Sequence, residues 1–213
     1  ISKAHKLKEL IIEVHGIAPG SMTALASERQ KILTQSPLTI SLSRLATKVD
    51  IHEVAAALKA SDMIQSEHEI IKAKSSEILN GETGTLAASL SINKWVYNYL
   101  KKQPVASLSG AVDILNTGVG DCTEHTTLFT ALSRAAGIPT KVHVGLVYVQ
   151  GRFLFHAWPV VAIDGEWVDV DPSLNQFPAD VTHIALVEGD FENLTDLIPS
   201  LGKIEIKVLE QHY

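Results

Sequence analysis

"GVGDCTEHTTLFTALSRAAGIP", residues 118–139, holds the only cysteine of the 213-residue chain, Cys122. Asp121 and Glu124 have the spacing of a capping box, so Asp121 is expected as the N-cap and Cys122 as the first helical residue. The helix should run to about Ala136, where Gly137 stops it and Pro139 prevents its resumption. A lone cysteine is most often a small buried core residue. At a helix start, however, unpaired backbone N–H groups and the helix dipole favour the thiolate. The charges of Asp121 and Glu124 partly oppose that, so a nucleophile placed here needs a histidinium partner, itself oriented by a carboxylate.

The strands that follow supply candidates. "TKVHVGLVYV", "RFLFHAWPVVAI" and "EWVDVDPS" read as strands joined by two-residue turns at Gln150-Gly151 and Asp164-Gly165. If the second turn sets the register, Ile163 faces Glu166, Trp158 faces Asp171 and His156 faces Ser173. His156, Trp158, Trp167, Asp169 and Asp171 then share one face, with His156 and Asp171 as diagonal neighbours within reach of a hydrogen bond. Phe155, Ala157, Val161, Val168 and Val170 form the opposite, core-like face. The same count at the first turn sets Gly145 opposite His156, leaving space for the start of the Cys122 helix. A one-residue slip in either register would break this arrangement.

Elsewhere the pattern changes along the chain. "LIIEVHGI" (10–17) and "SPLTISLSRLAT" (36–47) alternate with period two, predicting two or three strands separated by the turn-rich "APGS". "DIHEVAAALKA" predicts a short helix with Asp50 and Glu53 as a capping box. "SEHEIIKAKSSEIL" predicts a helix opened by a serine cap and stopped at Asn80-Gly81. "TLAASLSINKWVYNYLKK" predicts a core-packing helix, with Leu86, Leu90, Trp95 and Tyr99 on its apolar stripe. "SGAVDILNTG" is a further short helix. A strand "THIALVEG", a helix near "ENLTDLIP" and a last strand "KIEIKVLE" close the chain.

Composition narrows the function classes. The chain is 46% hydrophobic and 20% charged, with net charge −6, as expected of a globular protein. No basic run points to nucleic acid or an anionic membrane surface. No apolar stretch approaches the roughly 18 residues of a membrane span. His125, one helical turn after Cys122, could join His143 or His156 in a metal site, but the close pairs of ligands that mark structural zinc are missing. No metal or cofactor is expected, and His125 reads as a helix-surface residue or as one that supports the site from behind. Arg134 is expected to anchor the helix end.

The order Cys122, His156, Asp171, inside "GDC", "HAW" and "DP", resembles the catalytic core of the transglutaminase-like superfamily, in particular its bacterial branch of cysteine-protease type. The resemblance runs through "IQSEHEIIKAKSSEILNG", "WVYNYL", "FHAWPVVAIDGEWVDVDPS" and "FPADVTHIALVEGD". It implies an α+β fold: a papain-like transglutaminase core with its nucleophile helix packed on an antiparallel sheet, plus a small β-rich N-terminal portion. The expected division is residues 1–62 for that portion and 63–213 for the catalytic core. By the same resemblance Cys122 is the nucleophile, His156 its base and acid, and Asp171 the orienter. The Cys122 N–H is a natural oxyanion donor. A second would come from Trp95 or an asparagine or glutamine near it, and Trp158 either lines the groove or packs. The implied reaction is acyl transfer on a peptide or protein amide through a Cys thioester. With water as acceptor the protein is a peptidase or amidase, the favoured reading; with an amine it is a cross-linking transglutaminase. A non-catalytic peptide-binding module of the same fold is the rival from another class. Oligomeric state is open, and both a cytoplasmic and a cell-envelope location fit. The start at Ile1 rather than methionine suggests a truncated chain.

Overall fold

A computed structural model of the protein describes residues 1–17, 26–105, 109–189 and 202–213. The expected turn at "APGS" and the expected helix near "ENLTDLIP" lie outside the described residues. Contacts divide the chain into two compact units. One gathers Ile1–Thr47, His143–His156 and Asp180–Tyr213; the other gathers Lys48–Val142 and Ala157–Ala179. The N-terminal strands thus share a unit with the far end of the chain.

In the first unit, β1 (Glu9–His15), β2 (Gln30–Gln35), β3 (Leu38–Ser43) and β11 (Glu205–His212) form an antiparallel sheet in the order β11-β1-β3-β2. β1 alternates strictly, burying Leu10, Ile12 and Val14. Ile40 and Leu42 of β3 are buried as its alternation predicts, each worth about 2 kcal/mol of hydrophobic stabilisation. β2 is a polar strand whose pattern carries no strand signal. Its first residue is fixed from a distance: the Gln30 side chain donates to the Ala185 carbonyl and accepts from the Ala185 N–H, both at 3.0 Å. Those bonds reach β10 (Ile184–Glu188), which pairs antiparallel with the outer half of β7 (Thr140–Val149). The chain crosses between units along β4 (Thr47–Lys48), β7 and β8 (Arg152–Ile163). β7 and β8 meet at the expected Gln150-Gly151 turn, where φ is 52° and 89°, the left-handed pair that a two-residue hairpin turn demands.

Among the described residues the second unit holds five α-helices. These are α1 (Ile51–Val54), α2 (Glu69–Leu79), α3 (Thr85–Tyr99), α4 (Ala111–Thr117) and α5 (Cys122–Ala135). The two-residue strands β5 (Lys101–Lys102) and β6 (Val119–Gly120) pair in parallel just ahead of α5. β9 (Glu166–Asp169) pairs with the inner half of β8 in the expected register, Ile163 opposite Glu166 and Val160 opposite Asp169. The Val170 N–H continues it by bonding the Pro159 carbonyl at 3.0 Å.

Several local expectations need correction. α2 is capped by His68, whose side chain accepts from the Ile70 N–H at 3.2 Å, while Ser66 is buried upstream. Asp50 caps α1 as expected, but Glu53 does not complete a box. Its carboxylate accepts from the Trp167 indole at 2.9 Å and pairs with Lys141 at 3.0 Å. The core face of α3 is Ala88, Ile92 and Val96, whereas Leu86 and Leu90 are 46% and 43% exposed. Gly145 serves β10 rather than the Cys122 helix. A Cβ there would stand 1.9 Å from the Ile184 carbonyl oxygen, beside the irregularity between Ala185 and Val187.

Candidate active site

The start of α5 is built as its sequence predicts. Asp121 accepts from the Thr123 N–H at 2.9 Å, and Glu124 reaches back to accept from the Asp121 N–H at 2.9 Å. The two glycines before it have separate tasks. Gly118 ends α4 with φ 66°, a left-handed conformation that glycine adopts without cost. Gly120 is pressed by the helix itself, since a Cβ there would lie 2.2 Å from the Glu124 Cβ. Cys122 therefore takes the first helical position, half-buried, with a free thiol. The sulfur thus stands at the N-terminal, positive end of the dipole of a 14-residue helix. Burial raises the Glu124 carboxyl above its ordinary value, and the hydrogen bond from the Asp121 N–H partly offsets this.

From Glu124 to Arg134 every residue of α5 is buried, so the helix is enclosed on all sides. Thr126 donates its hydroxyl to the Ala157 carbonyl at 3.0 Å, joining the second turn of α5 to β8 at the residue after His156. Ser75 of α2 donates to the Leu132 carbonyl at 2.8 Å. Arg134 holds the far end as expected, donating to the Thr140 and Lys59 carbonyls. His125 is not on a helix surface. It is fully buried, and its Nδ1–H donates to the Asp121 carbonyl at 2.6 Å. Burial pushes its pKa below the ordinary imidazole value, and the hydrogen bond to Asp121 only partly offsets this.

Asp171, just past β9, is fully buried in a tight turn. Its backbone exchanges two hydrogen bonds with Gln176, at 2.8 and 2.9 Å. Its Oδ1 accepts from the Ser173 N–H, the Ser173 hydroxyl and the Leu174 N–H at 2.8, 2.8 and 2.9 Å. Three donors on one oxygen fix the plane of the carboxyl group. Two strand positions earlier, Asp169 Oδ1 accepts the indole N–H of Trp158 at 2.6 Å, as a diagonal pair in the expected register would. The Trp158 ring is fully buried and its one donor is spent on Asp169, so packing is the role it fills. Trp95 is half-buried and stacks on Tyr99, with ring centroids 4.4 Å apart. Two residues before it, Asn93 is buried, with its Nδ2 3.4 Å from Asn175 Oδ1.

His156, in the first unit, is 8% exposed and is followed in the chain by the Ala157 that α5 holds. A feature the sequence reading missed surrounds it. The ring of His183 stands edge-on to His156, with centroids 5.7 Å apart at 61°. His183 lies in the quoted "FPADVTHIALVEGD", where Asp180 three residues before it was the available signal.

Part of the chain is similar to known proteins. Residues 72–172 match the transglutaminase-like superfamily. An uncharacterized protein of Haemophilus influenzae is 35% identical over 114 residues, which make up 49% of this chain and 30% of that protein. The crystal structure of a proposed cysteine protease from Cytophaga hutchinsonii superposes with a TM-score of 0.62 at 15% identity, covering 96% of this chain and 86% of the other. The periplasmic domain of TgpA from Pseudomonas aeruginosa gives 0.51 at 17% identity over 77% of this chain and 63% of that one. At such identities the structural likeness establishes the fold. The segment similar to the transglutaminase-like superfamily, residues 72–172, carries the Cys-bearing buried helix and the β8–β9 hairpin.

Proposed function

We propose that the protein is a thiol acyl-transfer enzyme acting on amide bonds of peptides or proteins, with Cys122 as nucleophile, His156 as base and acid, and Asp171 as the group that orients His156. The observation that carries this reading is the built start of α5. A free, half-buried thiol sits at the positive end of a buried helix whose next turn is bonded to the residue after His156. The three-donor clamp on Asp171 supports its role as a fixed carboxylate.

In this mechanism the Cys122 sulfur attacks the amide carbonyl carbon, and the Cys122 N–H receives the developing oxyanion. His156 gives its proton to the departing nitrogen as the C–N bond breaks, leaving a thioester. The neutral His156 then takes a proton from the acceptor, which attacks the thioester, and the thiolate leaves. Water as acceptor makes the protein a peptidase or amidase, the reading we favour. An amine would make it a cross-linking enzyme with the same residues. Asn93 and Trp95 are the candidates for a second oxyanion donor.

The test is the pH dependence of Cys122 alkylation by iodoacetamide, read by mass spectrometry in wild type and His156→Ala. A wild-type thiol that reacts fast well below its ordinary pKa of about 8.5, with the advantage lost in the variant, is the expected result. A thiol that reacts slowly and identically in both proteins overturns the catalytic reading in favour of a peptide-binding module. Turnover with water and amine acceptors side by side then separates hydrolysis from cross-linking.

A further inference from the structure

His183 is almost fully buried, at 1% exposure, and is held by its own chain segment. Its Nδ1 is 3.1 Å from the Asp180 carbonyl oxygen and 3.5 Å from Asp180 Oδ1. Both are acceptors, so Nδ1 carries a proton. The Asp180 carboxylate is set in turn: its Oδ1 accepts the Thr182 N–H at 2.9 Å and the Thr182 hydroxyl at 2.6 Å. Thr182 Oγ1 also accepts the Tyr148 N–H at 3.4 Å, which ties the loop to β7. Arg29, ahead of β2, donates to the Asp180 carbonyl at 2.6 Å. Burial alone would raise the Asp180 carboxyl; the hydrogen bond and charge of His183, with the Thr182 donors, outweigh it and hold the group well below the ordinary carboxylate range. The loop is therefore a buried carboxylate–imidazole pair, and its imidazole meets His156 in a T-shaped contact.

We propose that His183, anchored by Asp180, is a positioning residue for His156: it packs against that ring and sets the cationic end of a buried ion pair beside it. The proposal rests on the assignment of His156 made above. Asp180, Arg29 and His156 face His183 from its own segment, from the segment before β2 and from β8. Cys122 and Asp171 enter through the proposed mechanism. The other imidazole–carboxylate pair on this ladder, His143–Glu188, is at the opposite end of β10.

The physical consequence has a sign. Two buried imidazoles this close carry charge together only at a cost, so a charged His183 held by Asp180 makes the histidinium form of His156 costlier without forbidding it. A cation beside His156 resists its protonation, and the same cation favours the thiolate. Both limbs of the active range of the Cys122–His156 pair then lie at lower pH than they would without His183. A residue serving packing alone would alter stability and leave both limbs in place.

Two measurements test this. Imidazole 15N spectra of the wild-type protein at pH 7 should show His183 protonated on both nitrogens; a neutral His183 overturns the proposal, whatever the variants do. His183→Asn keeps a donor for Asp180 but removes the ring, and Asp180→Asn removes the anion that holds the charge. In each, the acid-side midpoint of Cys122 alkylation should rise by on the order of one pH unit. An unmoved midpoint in either folded variant overturns the proposal and leaves the triad reading intact. If His156→Ala alkylates like wild type, the assignment of His156 falls and the proposal falls with it.

Discussion

The start of α5 and the ladder between β7 and β10 both press a chain segment against a glycine, but from different distances. At the cap of α5 these partners lie within four residues: Thr123 to Asp121, Asp121 to Glu124, His125 to Asp121. Gly120 makes room for Glu124, a residue of the same turn. On the ladder, Gly145 makes room for Ile184, and Gln30 crosses the unit to hold Ala185. The helix start is closed chemistry, able to form as soon as the helix does. The ladder exists only after segments far apart in the chain have met, so an error there disturbs register rather than one cap. The candidate nucleophile stands on the first kind of structure, and the pair proposed to support His156 stands on the second.

The largest expected effect tests this contrast directly. Gly145→Ala places a Cβ 1.9 Å from a backbone oxygen that has no rotamer to escape through. A loss of about 3 kcal/mol or more in urea unfolding is expected. Gly120→Ala meets the Glu124 Cβ at 2.2 Å, an atom that moves only with the first turn of α5 but with no sheet register behind it, so about 2 kcal/mol is expected. A Gly145→Ala protein as stable as wild type would show that the ladder yields, and the contrast would fail.

α3 sharpens the same lesson about what a sequence displays. Ile92→Ala should cost about 3 kcal/mol and Leu90→Ala less than about 0.5 kcal/mol in the same unfolding experiment, because Ile92 is fully buried and Leu90 is 43% exposed. Equal losses would mean that Leu90 is covered in solution. The stripe of larger apolar residues pointed to the wrong face because α3 buries small and polar side chains, Ala88, Ser89 and Asn93, beside Ile92 and Val96. By contrast, the α5 cap, the Asp164-Gly165 turn and the Trp158–Asp169 diagonal were legible, since each depends on spacing of a few residues or on counting outward from a turn. β2 and the reason for Gly145 were not legible, because their partners are fixed by the fold. Nor was the burial of His125: α5 buries its polar face as well as its apolar one, so a polar side chain there does not mark a surface position. His183 shows the middle case, with its Asp180 partner visible in sequence and its neighbour His156 set only by the ladder.

Asp121→Ala removes the cap of α5 and should cost about 1 kcal/mol, a smaller loss than either glycine. The substitution removes the acceptor of the Thr123 N–H and leaves the backbone donor to Glu124 in place, so Cys122 alkylation should report a frayed helix start. The rate-versus-pH curve is expected to move toward that of an ordinary thiol, and an unchanged curve would separate the cap from the nucleophile.

The smallest effect concerns His125. Its burial depresses the imidazole pKa below its ordinary 6.5, with the Asp121 hydrogen bond offsetting only part. The unfolded chain therefore takes up a proton near that value while the native protein does not. The unfolded state binds more protons below it, so stability contributed by neutral His125 is present above pH 6.5 and is lost as pH falls toward the native pKa. One proton limits the slope to about 1.4 kcal/mol per pH unit. His125→Asn keeps a donor for the Asp121 carbonyl and cannot titrate. Urea unfolding between pH 7 and pH 5.5 should show the variant losing less stability on acidification than wild type. Glu124 does not imitate this: its pKa is raised above 4.5, so acidification through that lower range returns stability rather than removing it. Parallel lines for wild type and variant would mean that His125 accepts its proton in the folded state, and the enclosed start of α5 would then be open to water.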